Sequence, residues 1–380
     1  MSAARSYAPS GTAPPAVRVS YGAMPAARPA SPALSASPAL SASPALSALP
    51  AVATWSAPTA LPAPPAQPAL AALAGATMGT TWSARLALPA GIDSDAARRA
   101  IQAALDDVVA QMSTWESASD ITRFNRAPEG WQVLPDGFFY VLRHALALAE
   151  DSGGAYDPTV GPLVNAWGFG AHQRAFEPPS PAAIDAARAR CGWRRVPLDV
   201  ARQAAMQAGG TYLDLSSIAK GHGVDRAALA LDALGISQYL VEVGGELRAR
   251  GRRPDGQAWR VAIEVPDASD EHALALPLQD LCIATSGDYR RHAGSGDARY
   301  AHTIDPRSGQ PVRNNVASVS VLHAECMQAD ALATVLTVLG EADGLAYARR
   351  HDLAALFILR DAHDYRVVAT PAFQALAQTS

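Results

Sequence analysis

Cysteine is scarce in this chain. There are three in 380 residues, Cys191, Cys282 and Cys326. They are far apart, odd in number and without C-x-x-C spacing. That excludes a disulfide framework and a zinc site of the usual spacing, and leaves them as small buried apolar residues. Charge is scarce too: 17% of residues are Asp, Glu, Lys or Arg, with a formal net charge of −4. Without a basic excess or a dense Lys/Arg stripe there is no field to hold a nucleic acid, and none is expected as a partner. Long apolar runs are also missing. No uninterrupted stretch approaches the ~20 residues of a bilayer-spanning helix, so no membrane span is expected.

What is present divides the chain. Residues 1–72 are dominated by Ala, Pro and Ser, and a hexapeptide, SPALSA, recurs at 31–36, 37–42 and 43–48. Such a segment is too rich in Pro for a helix and too poor in large apolar side chains for a core, so it reads as a disordered tail or tether. Arg28 precedes a long uncharged stretch, but prolines interrupt any apolar signal region and no lipobox cysteine follows.

Residues 73–380 read as a folded domain. Ser94–Met112 has helical periodicity, with Ser94 as its cap and Ile101, Leu105, Val108 and Val109 on one side. Pro135–Asp151 is a second helix, striped by Phe139, Leu142, Leu146 and Ala149 and ended by Gly153-Gly154. Short β runs are predicted at 211–215, 239–243, 246–250, 259–265, 281–285 and 317–322. Helices are predicted at 217–234 and 326–339, with Gly235 and Gly340 just beyond their ends. This mixture predicts an α+β fold with largely antiparallel sheets and packed helices, rather than a doubly wound sheet.

Four polar clusters are not explained by a core alone. In YLDLSSIAKGHGVDRAAL, 212–229, a strand passes into a helix capped by Ser216 or Ser217. Lys220 then stands in the first turn, where the helix dipole favours anions. It reads equally as a solvated surface lysine and as a partner of a phosphate bound at the helix start, with Gly221 and Gly223 allowing close approach. Asp214 adds a carboxylate at the same turn. In ECMQADALATVL, 325–336, Asp330 and Thr334 share one helix face. The pair serves either as an intrahelical hydrogen bond or as two hard oxygen ligands for Mg²⁺. In YAHTIDPRSGQPV, 300–312, His302 precedes a turn carrying Asp305 and Arg307. Two loop-like stretches, 112–126 and 152–170, hold Trp115, Tyr156, Trp167 and Phe169, either as turn packing or as a platform for a flat ring.

Taken in order, these segments resemble the FAD:protein FMN transferases, once described as thiamine-biosynthesis lipoproteins. The segments that carry the resemblance are MGT at 78–80, MSTW with ITRFN within 112–125, and GGAYDPTVGPLVNAWGFG at 153–170. They continue with LDLSSIAKGHGVD at 213–225, VEVGGELRARG at 241–251, ATSGDYRR at 284–291, HTIDPRSG at 302–309 and ADALATVL at 329–336. The series runs from about Thr77 to Gly340. Any one segment is weak; the ordered set is specific.

The resemblance implies roles residue by residue. Met78 and Trp115 match flavin-contacting positions, the second of them often tyrosine in the family. Ala155, Tyr156 and Asp157 match a segment lining the FAD site. Asp214 and Lys220 match FAD-binding positions, and Gly244-Gly245 a turn passing close to the ligand. The Ser217 main-chain carbonyl, Asp330 and Thr334 match ligands of Mg²⁺. His302 matches a histidine near the scissile pyrophosphate, with Asp305 in the adjoining turn; these two are the catalytic candidates.

The implied reaction is Mg²⁺-dependent transfer of the FMN moiety of FAD to a Thr or Ser hydroxyl of a partner protein, releasing AMP. Charge neutralisation and positioning do most of the work in such phosphoryl chemistry. The resemblance also implies an FAD site in a cleft between sheet-bearing lobes. Its acceptors would be subunits of membrane redox pumps or FMN-binding domains, met at the periplasmic side of a bacterial inner membrane; without a clear signal sequence, the cytoplasm is the alternative. Two other functions fit the same residues. One is an FAD pyrophosphatase giving FMN and AMP. The other is a protein that binds FAD unmodified, against which the Asp330/Thr334 pair argues, because redox use of FAD needs no metal at its pyrophosphate.

Overall fold

The computed structural model describes residues 70–171, 178–265, 274–288, 292–293, 300–361 and 364–379. The expected tail and the region of Arg28 lie outside these residues, except that Leu70–Ala72 already belong to the first strand. Residues 289–291 of the ATSGDYRR segment lie outside them as well.

Eight strands form one sheet: β1 (Leu70–Thr77), β2 (Thr80–Ala87), β3 (Tyr239–Val243), β4 (Glu246–Arg250), β5 (Cys282–Gly287), β6 (Val316–His323), β7 (Ala354–Asp361) and β8 (Asp364–Ala369). Every neighbouring pair is antiparallel, and the order across the sheet is the order along the chain. The helices arrive as insertions into this meander. Residues 88–238, between β2 and β3, carry α1 (Ser94–Met112), α2 (Asp136–Asp151) and α3 (Ala219–Ala233), and α4 (Cys326–Arg350) joins β6 to β7.

Alternation along the strands covers both sheet faces. Tyr239, Val241 and Val243 join Leu105 of α1 and Val224, Ala228 and Leu231 of α3 in one core. Val319, Val321, Phe357 and Leu359 continue that face against α2 and α4. Leu240, Leu247, Ile283, Leu322, Leu356 and Ile358 point the other way, against a hairpin of Trp259–Ile263 and Leu274–Leu278 and the final helix, Pro371–Thr379. Strands buried on both faces read as continuous apolar runs rather than alternating ones. By length and composition α4 could cross a bilayer. Here it is a core helix, with Ala329, Ala331, Ala333, Val335 and Leu336 wholly buried.

The α+β expectation holds, and several local expectations are corrected. Helix α1 is capped by Asp93, whose carboxylate accepts the Asp95 N–H, not by Ser94. The predicted strand 211–215 pairs with no strand among the described residues. Side-chain amides replace the ladder: Asn125 exchanges two hydrogen bonds with Leu213 (2.7 and 2.9 Å), and Gln207 exchanges two with Thr211 (2.9 and 3.0 Å). Neither loop-like stretch is wholly loop, since Asp120–Arg126 and Gly161–Ala166 are short helices. Helix α4 passes the predicted end, bending at Gly340 (φ 77°) and continuing to Arg350.

Candidate functional site

Helices α3 and α4 meet where α3 begins. Its N-cap position is Ile218, without a side-chain cap, so neither Ser216 nor Ser217 caps it. The Ser216 N–H and hydroxyl instead donate to Asp214 Oδ1 at 2.9 and 2.5 Å. The Gly221 N–H, which a continuing helix would give to the Ser217 carbonyl, donates to Asp330 Oδ2 of α4 at 2.9 Å. The Ser217 carbonyl is thereby released from the helical ladder where the Asp330 carboxylate arrives.

This approach requires the glycines, though for helix packing rather than ligand access. A Cβ on Gly221 would meet the Cys326 carbonyl, with its carbon at 2.6 Å and Met327 Cα at 2.8 Å. One on Gly223 would meet Met78 Cε at 2.9 Å. The seam is fastened by Asp225 of α3, which accepts the Cys326 and Met327 N–H groups at 3.0 and 2.9 Å and the Arg248 guanidinium at 2.8 Å. It thus caps α4 from a neighbouring helix.

Lys220 is not a solvated surface lysine. Its Nζ lies 2.5 Å from Glu246 Oε1, with a third of its side chain exposed and Glu246 almost none. Burial works against the ammonium, but Glu246 and Asp330 hold its pKa above the ordinary range. Burial pushes the Glu246 carboxyl up, and the Lys220 ammonium pulls it back. Burial likewise raises Asp330, opposed by Lys220 and the Gly221 N–H. The second oxygen of Glu246, Oε2, is buried and without a hydrogen-bond partner.

Glu246 was not among the residues singled out from the sequence, although VEVGGELRARG contains it. The available signal was two glutamates flanking a Gly-Gly turn in an otherwise apolar strand pair. Gly244 (φ 58°) and Gly245 (φ 106°) form a two-residue hairpin turn of the kind that requires positive φ at both positions. Glu242 accepts the Gly245 N–H at 2.8 Å, and Gly244 stands 2.9 Å, at its Cβ position, from Thr80 Cγ2. The turns joining β3 to β4 and β1 to β2 therefore lie side by side. In the second, Met78 adopts φ 49°, unusual for a residue with a side chain, and packs inward against Gly223.

Tyr156 brings the 152–170 stretch to the same place. Its buried hydroxyl accepts from Ser217 Oγ at 3.2 Å. Burial, and then the field of Asp330, Asp214 and Asp157, keep it protonated. Ala155 is buried as well. Asp157 holds the loop rather than presenting a free carboxylate: it accepts from the Thr159 N–H and hydroxyl (2.8 and 2.6 Å) and from the Trp193 N–H (3.1 Å). Thr334 lies 3.2 Å, hydroxyl to hydroxyl, from Ser286 of β5.

His302 follows a short strand, Tyr300–Ala301, and is half-buried, its ring edge-on to Phe169 at 6.2 Å. Asp305 is taken up by Arg307, accepting its N–H and two guanidinium donors, each at 2.9 Å. That carboxylate shapes the turn and is not a free base. The turn lies against Gly154, whose Cβ position is 3.9 Å from Arg307 Cγ, two residues from Tyr156.

Of the four aromatics offered as a platform, Trp167 and Phe169 are buried in a core with Tyr300, and Tyr156 is buried too. Trp115 is 56% exposed, and lines a cleft of roughly 380 Å³ with Asn125, Arg126 and Tyr212. Tyr212 is two residues from Asp214.

Among the described residues no three His, Cys, Asp or Glu side chains converge as a metal site made by protein alone. The donors present are of another kind: one buried carboxylate, Asp330; one hydroxyl, Thr334, a turn further along α4; and one released main-chain carbonyl, Ser217. Two buried carboxylates, Asp330 and Glu246, share a single ammonium. A hard divalent cation fits this all-oxygen, negatively biased set, since Mg²⁺ is held by one or two carboxylates and completes its shell with water and substrate phosphate.

A model of the ApbE family matches residues 78–357. The chain is 38% identical over 317 residues to the FAD:protein FMN transferase of Haemophilus influenzae, covering 81% of this chain and 91% of that one. It is 39% identical over 307 residues to the FAD:protein FMN transferase of Vibrio cholerae, covering 80% and 91%. Among solved structures, the apo flavinyl transferase ApbE of Pseudomonas stutzeri superimposes with a TM-score of 0.76 at 38% identity, over 81% of this chain and 97% of that one.

Proposed function

The chain belongs to the ApbE family, and from that premise we propose that it moves the FMN half of FAD onto a threonine or serine hydroxyl of a partner protein, releasing AMP, in a Mg²⁺-dependent reaction. It is an FAD:protein FMN transferase, with FAD as a substrate and a protein as the acceptor. The finer terms rest on one observation: two buried carboxylates, Asp330 and Glu246, face one ammonium beside the carbonyl released at Ser217.

Asp330, Thr334 and the Ser217 carbonyl would hold Mg²⁺. When bound, the ion polarises phosphate oxygens and neutralises charge that develops on them. Lys220, positioned by Glu246, directs its remaining donors to the pyrophosphate. The cleft beside Trp115 offers an aromatic face to the isoalloxazine ring, and Asp214, two residues past Tyr212 of that cleft, accepts from Ser216 just before α3. The acceptor hydroxyl attacks the phosphorus on the FMN side. The bond from that phosphorus to the bridging oxygen breaks, and AMP leaves with the electron pair. His302 takes the hydroxyl proton on a ring nitrogen. The catalytic domain begins with β1 at Leu70 rather than at residue 73, the residues before it serve as a tether, and the periplasmic side of the inner membrane is the location that the family resemblance supports.

Incubation of the purified protein with FAD, MgCl₂ and a threonine-bearing FMN-binding domain tests this reading. Mass spectrometry should find the domain heavier by one FMN, and AMP should accumulate in step. Free FMN with an unmodified domain would make the protein a pyrophosphatase, and intact FAD would overturn both. Activity confined to the cytosolic fraction of cells would overturn the location.

A further inference from the structure

Strand β5 outlasts its neighbour. It pairs with β6 along its whole length, Cys282 to Gly287, but with β4 only at Cys282 and Ile283. There β4 ends, because the chain turns back through Gly244-Gly245. Antiparallel pairing fixes which groups are left over. Leu281 accepts the Ala249 N–H at 2.9 Å, so odd residues of this strand point their backbone groups toward β4, and Asp288 donates to Ala317 of β6 at 3.2 Å, so even residues point away. Thr285 and Gly287 thus present N–H and C=O groups to an edge that no described strand occupies. Burial changes at the same point: Cys282, Ile283 and Ala284 are buried, whereas Thr285, Ser286 and Gly287 are half-exposed.

The missing length of β4 is a notch of about 110 Å³, bordered by Gly244, Glu246, Val261, Ile263, Thr285 and Gly287. It opens directly onto the candidate site. Lys220 also lines it, the unpartnered Oε2 of Glu246 is buried at its end, and the Ser286 hydroxyl, on the helix-facing side of β5, lies 3.2 Å from Thr334.

We infer that this edge is the docking site for the acceptor protein, which lays an extended segment along Thr285 and Gly287 as an added strand. The inference rests on the reading of the chain as an enzyme that modifies a protein. The occupant follows from three features. An open ladder of N–H and C=O groups is complementary to another backbone and not to a nucleotide. Side chains of an added strand alternate between faces, so one faces the notch beside Val261 and Ile263 while the next faces Lys220, Asp330 and Thr334. A hydroxyl residue on the second face is delivered to the site with the backbone held on both sides of it, and the buried Glu246 Oε2 is an acceptor for a donor arriving on the same segment. Main-chain bonding supplies affinity without demanding a long sequence match.

Gly287→Pro tests the inference. It removes one N–H from the notch edge and leaves the bonds to β6, which the even residues make. The KM for a threonine-bearing FMN-binding domain should rise about tenfold, the loss expected for one backbone hydrogen bond and an obstructed edge, with FAD affinity and the rate at saturating acceptor retained. In the unaltered enzyme, the same domain with its target threonine changed to valine should slow amide exchange at Thr285 and Gly287. An unchanged KM in a folded Gly287→Pro protein, or protection confined to other segments, overturns the docking site. Should the unaltered enzyme transfer no FMN at all, the functional reading fails first, and the two failures are distinct.

Discussion

Replacing Gly221 with alanine probes the seam on which the site depends. The added methyl would press on the Cys326 carbonyl, with the carbonyl carbon at 2.6 Å and Met327 Cα at 2.8 Å. These are backbone atoms that cannot swing aside, so α3 and α4 must part by about 1 Å to restore ordinary contact. Two effects oppose each other. Alanine is the better helix former by about 1 kcal/mol. Overpacking against a backbone costs about 1–3 kcal/mol, and at this distance the upper end applies. The net expectation is a loss of about 1–2 kcal/mol, read as a lower urea midpoint with an unchanged slope. The effect on transfer should be larger than the effect on stability. The bond from Gly221 N–H to Asp330 spans the seam, and a displacement of about 1 Å at a reacting centre costs on the order of 10²-fold in rate. Gly137→Ala in α2 is the control. The nearest atoms to its methyl would be the side-chain end of Gln111, which accepts the Phe138 N–H and can shift, and transfer should be unaffected. A folded Gly221→Ala enzyme with the original rate at saturating FAD and MgCl₂ would refute the argument that close helix contact sets the position of Asp330.

Asp330→Ala should abolish Mg²⁺-dependent transfer while circular dichroism shows a retained fold; persistent activity at ordinary MgCl₂ would remove Asp330 from the metal. Lys220→Ala should weaken FAD binding, measured by flavin fluorescence, and unchanged affinity would mean that the ammonium serves Glu246 alone. Asp225→Ala removes the cap from α4 and should lower stability by about 1–2 kcal/mol in urea denaturation; a change within about 0.5 kcal/mol would leave the cap without weight. His222 is buried among Tyr140, His144, Asp107 and Arg226, and burial lowers its pKa from 6.5 to about 4. The unfolded chain therefore takes up this proton first as pH falls. The contribution is fully present above pH 6.5 and is lost toward pH 4, by about 3 kcal/mol. His222→Phe should flatten that part of the stability profile, and an unchanged profile would assign the acid sensitivity elsewhere.

Much of the scaffold was legible. Tyr239–Val243 and Glu246–Arg250 follow from β-rich runs interrupted by Gly-Gly, and Ser94–Met112 from helical spacing, because local propensity and tertiary packing agree there. Residues 211–215 have strand-like composition, but side-chain amides satisfy part of their backbone: Gln207, four positions from Thr211, and Asn125, 88 positions from Leu213. The second pairing has no local pattern behind it. The site divides in the same way. Asp330 and Thr334 could be found because four residues along a helix define a face. Glu246 left only the signal of two glutamates about a Gly-Gly turn, because its importance comes from burial and from a lysine 26 positions away. Gly221 and Gly223 were recognised as close-approach residues with the wrong partner: what approaches is another helix and Met78. Asp305 was a catalytic candidate through the family resemblance and its place beside His302, and Arg307 occupies its carboxylate.

The meander order has a consequence for biosynthesis. The hairpin of β1 and β2 leaves the ribosome early, but the strand that covers its inner edge begins at Tyr239, with residues 88–238 still to be made. At ordinary translation speeds that interval is on the order of 10 s. During it β2, whose Trp82, Ala84 and Leu86 are buried in the finished protein, has α1 against its face but no strand along its inner edge, and an open hairpin edge is a template for unwanted pairing. The thermodynamic cost of so long a closure is small, since it grows only with the logarithm of length. The delay is kinetic: it makes the N-terminal hairpin the segment that most needs a chaperone, and the closing of β2 onto β3, which brings the Met78 and Gly244 turns together, a late event in maturation.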